Sequence, residues 1–175
     1  MTSKDEVNLQ RPTGPGRTQK SDSNYPFKVG ICEIDNLDLS PIRFRVHGEH
    51  CQEEGYCIER LDEWENVYRA FLALIKKHPN TLMVPNQAVD VFWHNHVLDT
   101  QKYEEDCKTI FGETIHHFPY FGLRGEDDMG KLKKGAENTA KLLNTEFPAL
   151  KHDYFDELSK TDDWKFACGG MRLST

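Results

Sequence analysis

Between Arg60 and His78 the apolar residues Leu61, Trp64, Tyr68, Phe71 and Ile75 recur at intervals of 3, 4, 3 and 4, the period that keeps one face of an α-helix apolar. Lys76-Lys77-His78 close its last turn, where positive charge suits the helix dipole, and Pro79 ends the run. After Pro85, Asn86 is a capping residue, and Ala88, Val89, Val91, Phe92 and Trp93 make the next segment apolar almost all round. That pattern predicts a buried helix. Asp99 and Thr100 are cap candidates for a third helix, which carries Glu104 and Glu105 early and stops at Gly112. Helical spacing returns over residues 126–147, with Glu126, Asp127 and Asp128 at the positive end and Leu132, Ala136, Leu143 and Phe147 on one face.

The rest of the chain is less periodic. Over residues 27–58, Ile42, Phe44 and Val46 alternate as in a strand, whereas Ser40-Pro41 reads as an N-cap followed by proline at the first helical position; the second signal favours a short helix. Residues 113–125, ETIHHFPYFGLRG, are too rich in proline and glycine for a regular helix and too apolar for a loose loop, so an ordered loop against the core is expected. Tyr154, Phe155 and Leu158 suggest one more short helix. Residues 1–26 hold few large apolar side chains, so burial there cannot offset the entropy of ordering. The expected architecture is mainly α: a compact single-domain helical bundle over residues 27–166 with a long ordered loop, a disordered N-terminal tail over 1–26 and a flexible C-terminal tail over 167–175.

Composition narrows the function classes. Twenty-nine acidic against twenty-two basic residues leave a formal charge of -7, the wrong sign for a protein that binds by neutralising phosphates, so nucleic acid is not an expected partner. No run approaches the ~20 apolar residues of a membrane span, and MTSKDEVNLQ lacks the apolar core of a secretory signal, which points to a cytoplasmic protein without a membrane partner. Cys32, Cys51, Cys57, Cys107 and Cys168 are odd in number and contain no CxxC pair, so reduced thiols are expected. His47-Gly48-Glu49-His50-Cys51 with Cys57 has ligand types that suit zinc, but the spacing matches no standard finger and a polar loop is the simpler reading.

The chemistry concentrates in WHNH and HH. Asp90 sits between valines in the most apolar helix, where an ionised carboxylate is costly unless it meets a partner or a cation. His94 follows by four residues, one turn along the same face. His96 is rotated by about 200° from His94 on a regular helix, so it joins His94 only if the helix loosens near Asn95. His116 and His117 lie in the ordered loop, and in an extended segment only one of them faces inward. Asp90, His94, His96 and one of His116 or His117 are therefore the candidate metal ligands; taking His117 as the ligand leaves His116, with Tyr103, as the candidate catalytic residues. A nitrogen-rich set with one carboxylate suits iron, copper or zinc rather than magnesium or calcium. The alternative is a buried Asp/His hydrogen-bond network with no metal, the other histidines capping helices or facing solvent. Cys107 as a thiol catalyst is a weaker possibility, because nothing local activates the thiol.

The blocks VPNQAVDVFWHNHVLDTQKYEEDC and FGETIHHFPYFGLRGEDD resemble the glycine-rich domain-containing protein-like family, over about residues 36–147. The resemblance implies a mainly helical domain and carries Asp90, Trp93, His94, His96, Tyr103 and His117 over as motif positions; it implies no particular reaction. The chain departs from the family's plant members in lacking a long glycine-rich tail, only Gly169-Gly170 remaining, so their signalling and RNA binding are not carried over. The sequence thus leads to a metal-binding protein, an iron- or copper-dependent oxidase or oxygenase acting on a small molecule or peptide. The alternatives are a zinc-dependent hydrolase and a non-catalytic protein-interaction module built on a structural His/Asp network.

Overall fold

The computed structural model describes residues 26–54 and 58–150, with side chains described for 26–48 and 60–150. The two expected tails, the short helix expected around Tyr154 and the side chains of the His50, Cys51 and Cys57 zinc candidate fall outside those residues. Among the described residues six helices follow one another: α1 (Cys32–Asp35), α2 (Ser40–Glu54), α3 (Ile58–Lys77), α4 (Gln87–Leu98), α5 (Thr100–Phe111) and α6 (Glu126–Glu146). The mainly α expectation holds, as a bundle in which α3 is central: it packs on α1, α2, α4 and α6, while α4 also meets α2 and α5.

The strand-like alternation near residue 42 resolves into a helix longer than expected. Ile42 and Val46 are buried and Phe44 is exposed, which is an i, i+4 stripe seen with its outward neighbour between. Helix α2 runs on through His47 to Glu54, so this segment is helical where a polar loop was the simpler expectation. Past its midpoint α3 is tied to α1 by the buried Arg69, which pairs with Glu65 and donates to the carbonyls of Ile34 and Leu37. Those carbonyls lie at and beyond the end of α1, so the guanidinium serves them as a cap would.

Two local devices set where α4 and α5 begin. The Thr139 hydroxyl of α6 donates to Gly135 O and accepts from Val84 N, both at 2.9 Å, which anchors the strap before α4 onto α6. Asn86 then accepts from Val89 N at 3.0 Å and opens α4. Asp99 serves as C-cap of α4 and N-cap of α5, accepting from Lys102 N, so the corner between the two helices is a single residue. Gly112 ends α5 in the left-handed conformation (φ 83°), with its N–H on Lys108 O. The chain after it runs back along α4 as the 113–125 segment. Asp128 fastens the far end of that segment by accepting from Gly122 N at 2.7 Å and pairing with Arg124.

Candidate metal centre

Because α4 is regular from Gln87 to Leu98, Asp90 and His94 stand one turn apart on one face. The His94 Nδ1 lies 3.2 Å from Asp90 Oδ2 and 2.9 Å from the Asp90 carbonyl oxygen. The loop supplies the third residue: His117 Nε2 lies 3.2 Å from the other carboxylate oxygen, Asp90 Oδ1. The His94 and His117 rings are 4.5 Å apart at their centroids. One donor atom from each of Asp90, His94 and His117 falls within 4.8 Å of the others, and among the described residues this is the group so arranged. Exposure is graded across it, with side chains 7% exposed at His117, 14% at Asp90 and 43% at His94. The cluster is closed on the protein side and open to solvent at His94.

A separation of 3.2 Å has two chemical readings. It is a long charge-assisted hydrogen bond. It is also close to the roughly 3.0–3.4 Å expected between neighbouring donors that share an ion at bonds of about 2.1 Å. Without an ion, a protonated Nδ1 of His94 serves both the carbonyl and the carboxylate of Asp90 and leaves its Nε2 lone pair free. The hydrogen bond to the Asp90 carboxylate raises the His94 pKa above its ordinary value, against the opposing effect of partial burial. Any ion at this site therefore competes with a proton that Asp90 helps to hold.

His96 does not join the cluster. The helix stays regular past Asn95, whose Nδ2 donates to Val91 O, and so His96 turns to the opposite side, into the core between α3 and α5. There it is buried, with Nε2 2.9 Å from Asp106 Oδ2 and Nδ1 2.9 Å from the Tyr68 hydroxyl. The partners fix the tautomer: Nε2–H donates to the carboxylate and Nδ1 accepts from Tyr68. Lys102 also reaches Asp106, at 2.7 Å. Burial works against ionising Asp106, but the hydrogen bonds from His96 and Lys102 outweigh it and hold the carboxyl below its usual range. The sequence reading placed Tyr68 only on an apolar helix face and did not single out Asp106 or Lys102. Asp106 had a legible signal, since it lies beside Cys107 on the stripe Tyr103, Cys107, Ile110 that α5 turns inward.

The two candidate catalytic residues separate as well. His116 is exposed on the outer side of the loop, while Ile115 before it and His117 after it face inward. Tyr103 is buried, accepts from Trp93 Nε1 at 2.9 Å and donates to Ile115 O at 2.6 Å. Burial raises its phenol pKa strongly, so it stays protonated, and its hydroxyl is committed on both sides. The void beside it, of about 10 Å³ and lined by Tyr68, Trp93, His96, Tyr103 and Cys107 among others, is too small for a substrate. Burial likewise pushes the Cys107 thiol up, which leaves it unactivated.

No helix among the described residues is long and apolar enough to cross a membrane. No curated protein and no solved structure matches the chain. The family described as UCP032817-like matches over residues 52–135, just under half of the chain. That match corrects the resemblance drawn from the motifs: nothing in it points to the glycine-rich domain-containing family. The matched span holds α3, α4, α5 and the histidine loop, and so covers the positions of Asp90, His94, His96, Tyr103 and His117.

Proposed function

We propose that the protein binds a transition metal ion through Asp90, His94 and His117 and uses it in an iron- or copper-dependent oxidation of a small molecule or peptide. The observation that carries this reading is the convergence of two histidines and one carboxylate within 4.8 Å, with the open side at His94. Two imidazoles and a carboxylate with free positions are the ligand set of non-haem iron oxygenases. When bound, the ion would supply Lewis acidity and, for iron or copper, one-electron chemistry. The chain's own residues would hold it and shield one side. Trp93, edge-on to His117 at 4.5 Å, would keep water from the buried side of the ligand. His116 and Tyr103 are kept out of the chemistry by their directions. A cytoplasmic location, and the absence of nucleic-acid and membrane partners, remain part of this proposal on the charge and hydropathy of the chain.

A zinc hydrolase is the next reading, since two histidines and a carboxylate also make catalytic zinc sites with water in the fourth position. A non-catalytic module is favoured by one observation: each oxygen of Asp90 already has a histidine partner, so the network is satisfied without an ion. Elemental analysis of untagged protein, purified without chelator after growth with iron, copper and zinc, separates the three. Near-stoichiometric iron or copper that disappears in His117→Ala, with oxygen consumed on turnover, is expected. Stoichiometric zinc transfers the assignment to hydrolysis. Protein that retains no metal and binds none on titration removes the enzyme reading in favour of the module.

A further inference from the structure

The loop presents two adjacent histidines, and only His117 meets Asp90. Adjacent residues of an extended segment point to opposite sides, so a slip of one residue would exchange His116 for His117 and turn Ile115 out of the core. Something must therefore hold the register. Two contacts do. Ile115 is buried at 3% exposure, and its carbonyl accepts the Tyr103 hydroxyl at 2.6 Å. The same hydroxyl accepts from Trp93 Nε1 at 2.9 Å, and the Trp93 ring stands edge-on to His117 at a centroid distance of 4.5 Å. Trp93 directly precedes His94 on α4. One chain of contacts thus runs from the helix that carries Asp90 and His94, through α5, to the backbone two residues before His117.

We infer that the Trp93–Tyr103–Ile115 chain selects His117 over His116 as the histidine presented to Asp90, which makes Tyr103 a positioning residue for the site. The inference rests on the metal reading only for its functional meaning. Its geometric content, which histidine faces the carboxylate, stands apart. The Tyr68 hydroxyl supplies an internal control. It is as deeply buried, in the same core and also hydrogen-bonded, but its hydroxyl is bonded to His96 rather than to the loop backbone.

The test compares the full-length protein with Tyr103→Phe and Tyr68→Phe. Nuclear Overhauser contacts between the Trp93 indole and the His117 imidazole report the register without any metal. They are expected in the wild type and in Tyr68→Phe, and lost in Tyr103→Phe. Zn²⁺ titration of the same three proteins should show affinity falling about 10–100-fold in Tyr103→Phe, the usual cost of losing a group that orients a ligand, and changing less than about 2-fold in Tyr68→Phe. Should Tyr103→Phe fail to fold, His116→Ala and His117→Ala decide: the first is expected to keep the Trp93 contacts and Zn²⁺ binding, the second to lose Zn²⁺. Indole contacts that persist in Tyr103→Phe, an equal loss in the two tyrosine variants, or Zn²⁺ binding that follows His116 would each overturn the selection. A wild type that shows the indole contacts, loses them only in Tyr103→Phe and yet binds no Zn²⁺, iron or copper sinks the metal reading while leaving the positioning intact.

Discussion

His117 Nε2 lies 3.2 Å from Asp90 Oδ1, although 27 residues of chain separate the two. The contact brings a loop histidine to a helix carboxylate that already holds His94 by its other oxygen. Asp90→Asn keeps the shape and removes the charge. Asparagine can still accept from one histidine, so the fold should survive with a loss of about 1–2 kcal/mol, readable in urea melts. Metal affinity should drop by at least 10-fold, because the one anionic donor is gone. Calorimetric titration of both proteins with Zn²⁺ checks this, and equal affinities would remove Asp90 from the ligand set.

How much of this was legible in the sequence depends on the range of the interaction. The caps at Asn86 and Asp99 and the stop at Gly112 are written within three or four residues, and the helices begin and end accordingly. The Asp90/His94 pair follows from the helical period alone. The same period warned that His96 would turn away, and it does. The sequence could not say what His96 turns towards. Tyr68 is 28 residues away on another helix, and Asp106 reaches it only because a one-residue corner folds α5 against α4. Alternation in the loop allowed one inward histidine of two, and the choice fell to Tyr103, which the sequence offered as a candidate catalytic residue and not as a partner of the loop backbone.

The buried pair of Tyr68 and His96 makes a stability prediction. Tyr68→Phe deletes the hydroxyl that faces His96 Nδ1, leaving that acceptor without this partner in a buried site. An unsatisfied buried acceptor costs about 1–3 kcal/mol. Equilibrium unfolding in urea should show a loss of that size with an unchanged slope. A variant as stable as the wild type would mean that the hydroxyl contributes nothing net.

Asp106 sets a pH prediction. Its folded-state pKa is held below the ordinary carboxylate value by His96 and Lys102, in spite of burial. A depressed carboxylate contributes stability that is fully present above its unfolded pKa of about 3.9 and is lost as the pH falls through the lower, folded value. Asp106→Asn should therefore be less stable than the wild type at pH 6, and the difference should narrow below about pH 4. Thermal melts of the two proteins from pH 7 to pH 3 measure it. A gap that stays constant with pH would show that packing at position 106, not its charge, is what the helices use.

The strap before α4 offers the last prediction, on a residue distant from the chemistry. Gly135 lies on α6 where a Cβ would come within 2.7 Å of Val84 Cγ2 and 3.1 Å of Leu82 Cδ2. Alanine is normally the better helix former by about 1 kcal/mol, so propensity alone predicts stabilisation. The contact argues the other way. Val84 is fully buried and β-branched, with no flexible end to move aside. Its N–H is also tied to Thr139 Oγ1, so relief of the clash has to stretch the bond that seats the strap on α6. Overpacking of this kind costs about 1–3 kcal/mol and should outweigh the propensity gain. Gly135→Ala is expected to unfold at lower urea, whereas Gly130→Ala, on the same helix with nothing within 4 Å of its Cβ, should be as stable as the wild type or more so. If both variants gain stability, the strap is looser than its hydrogen bond implies, and Val84 is not what fixes the start of α4.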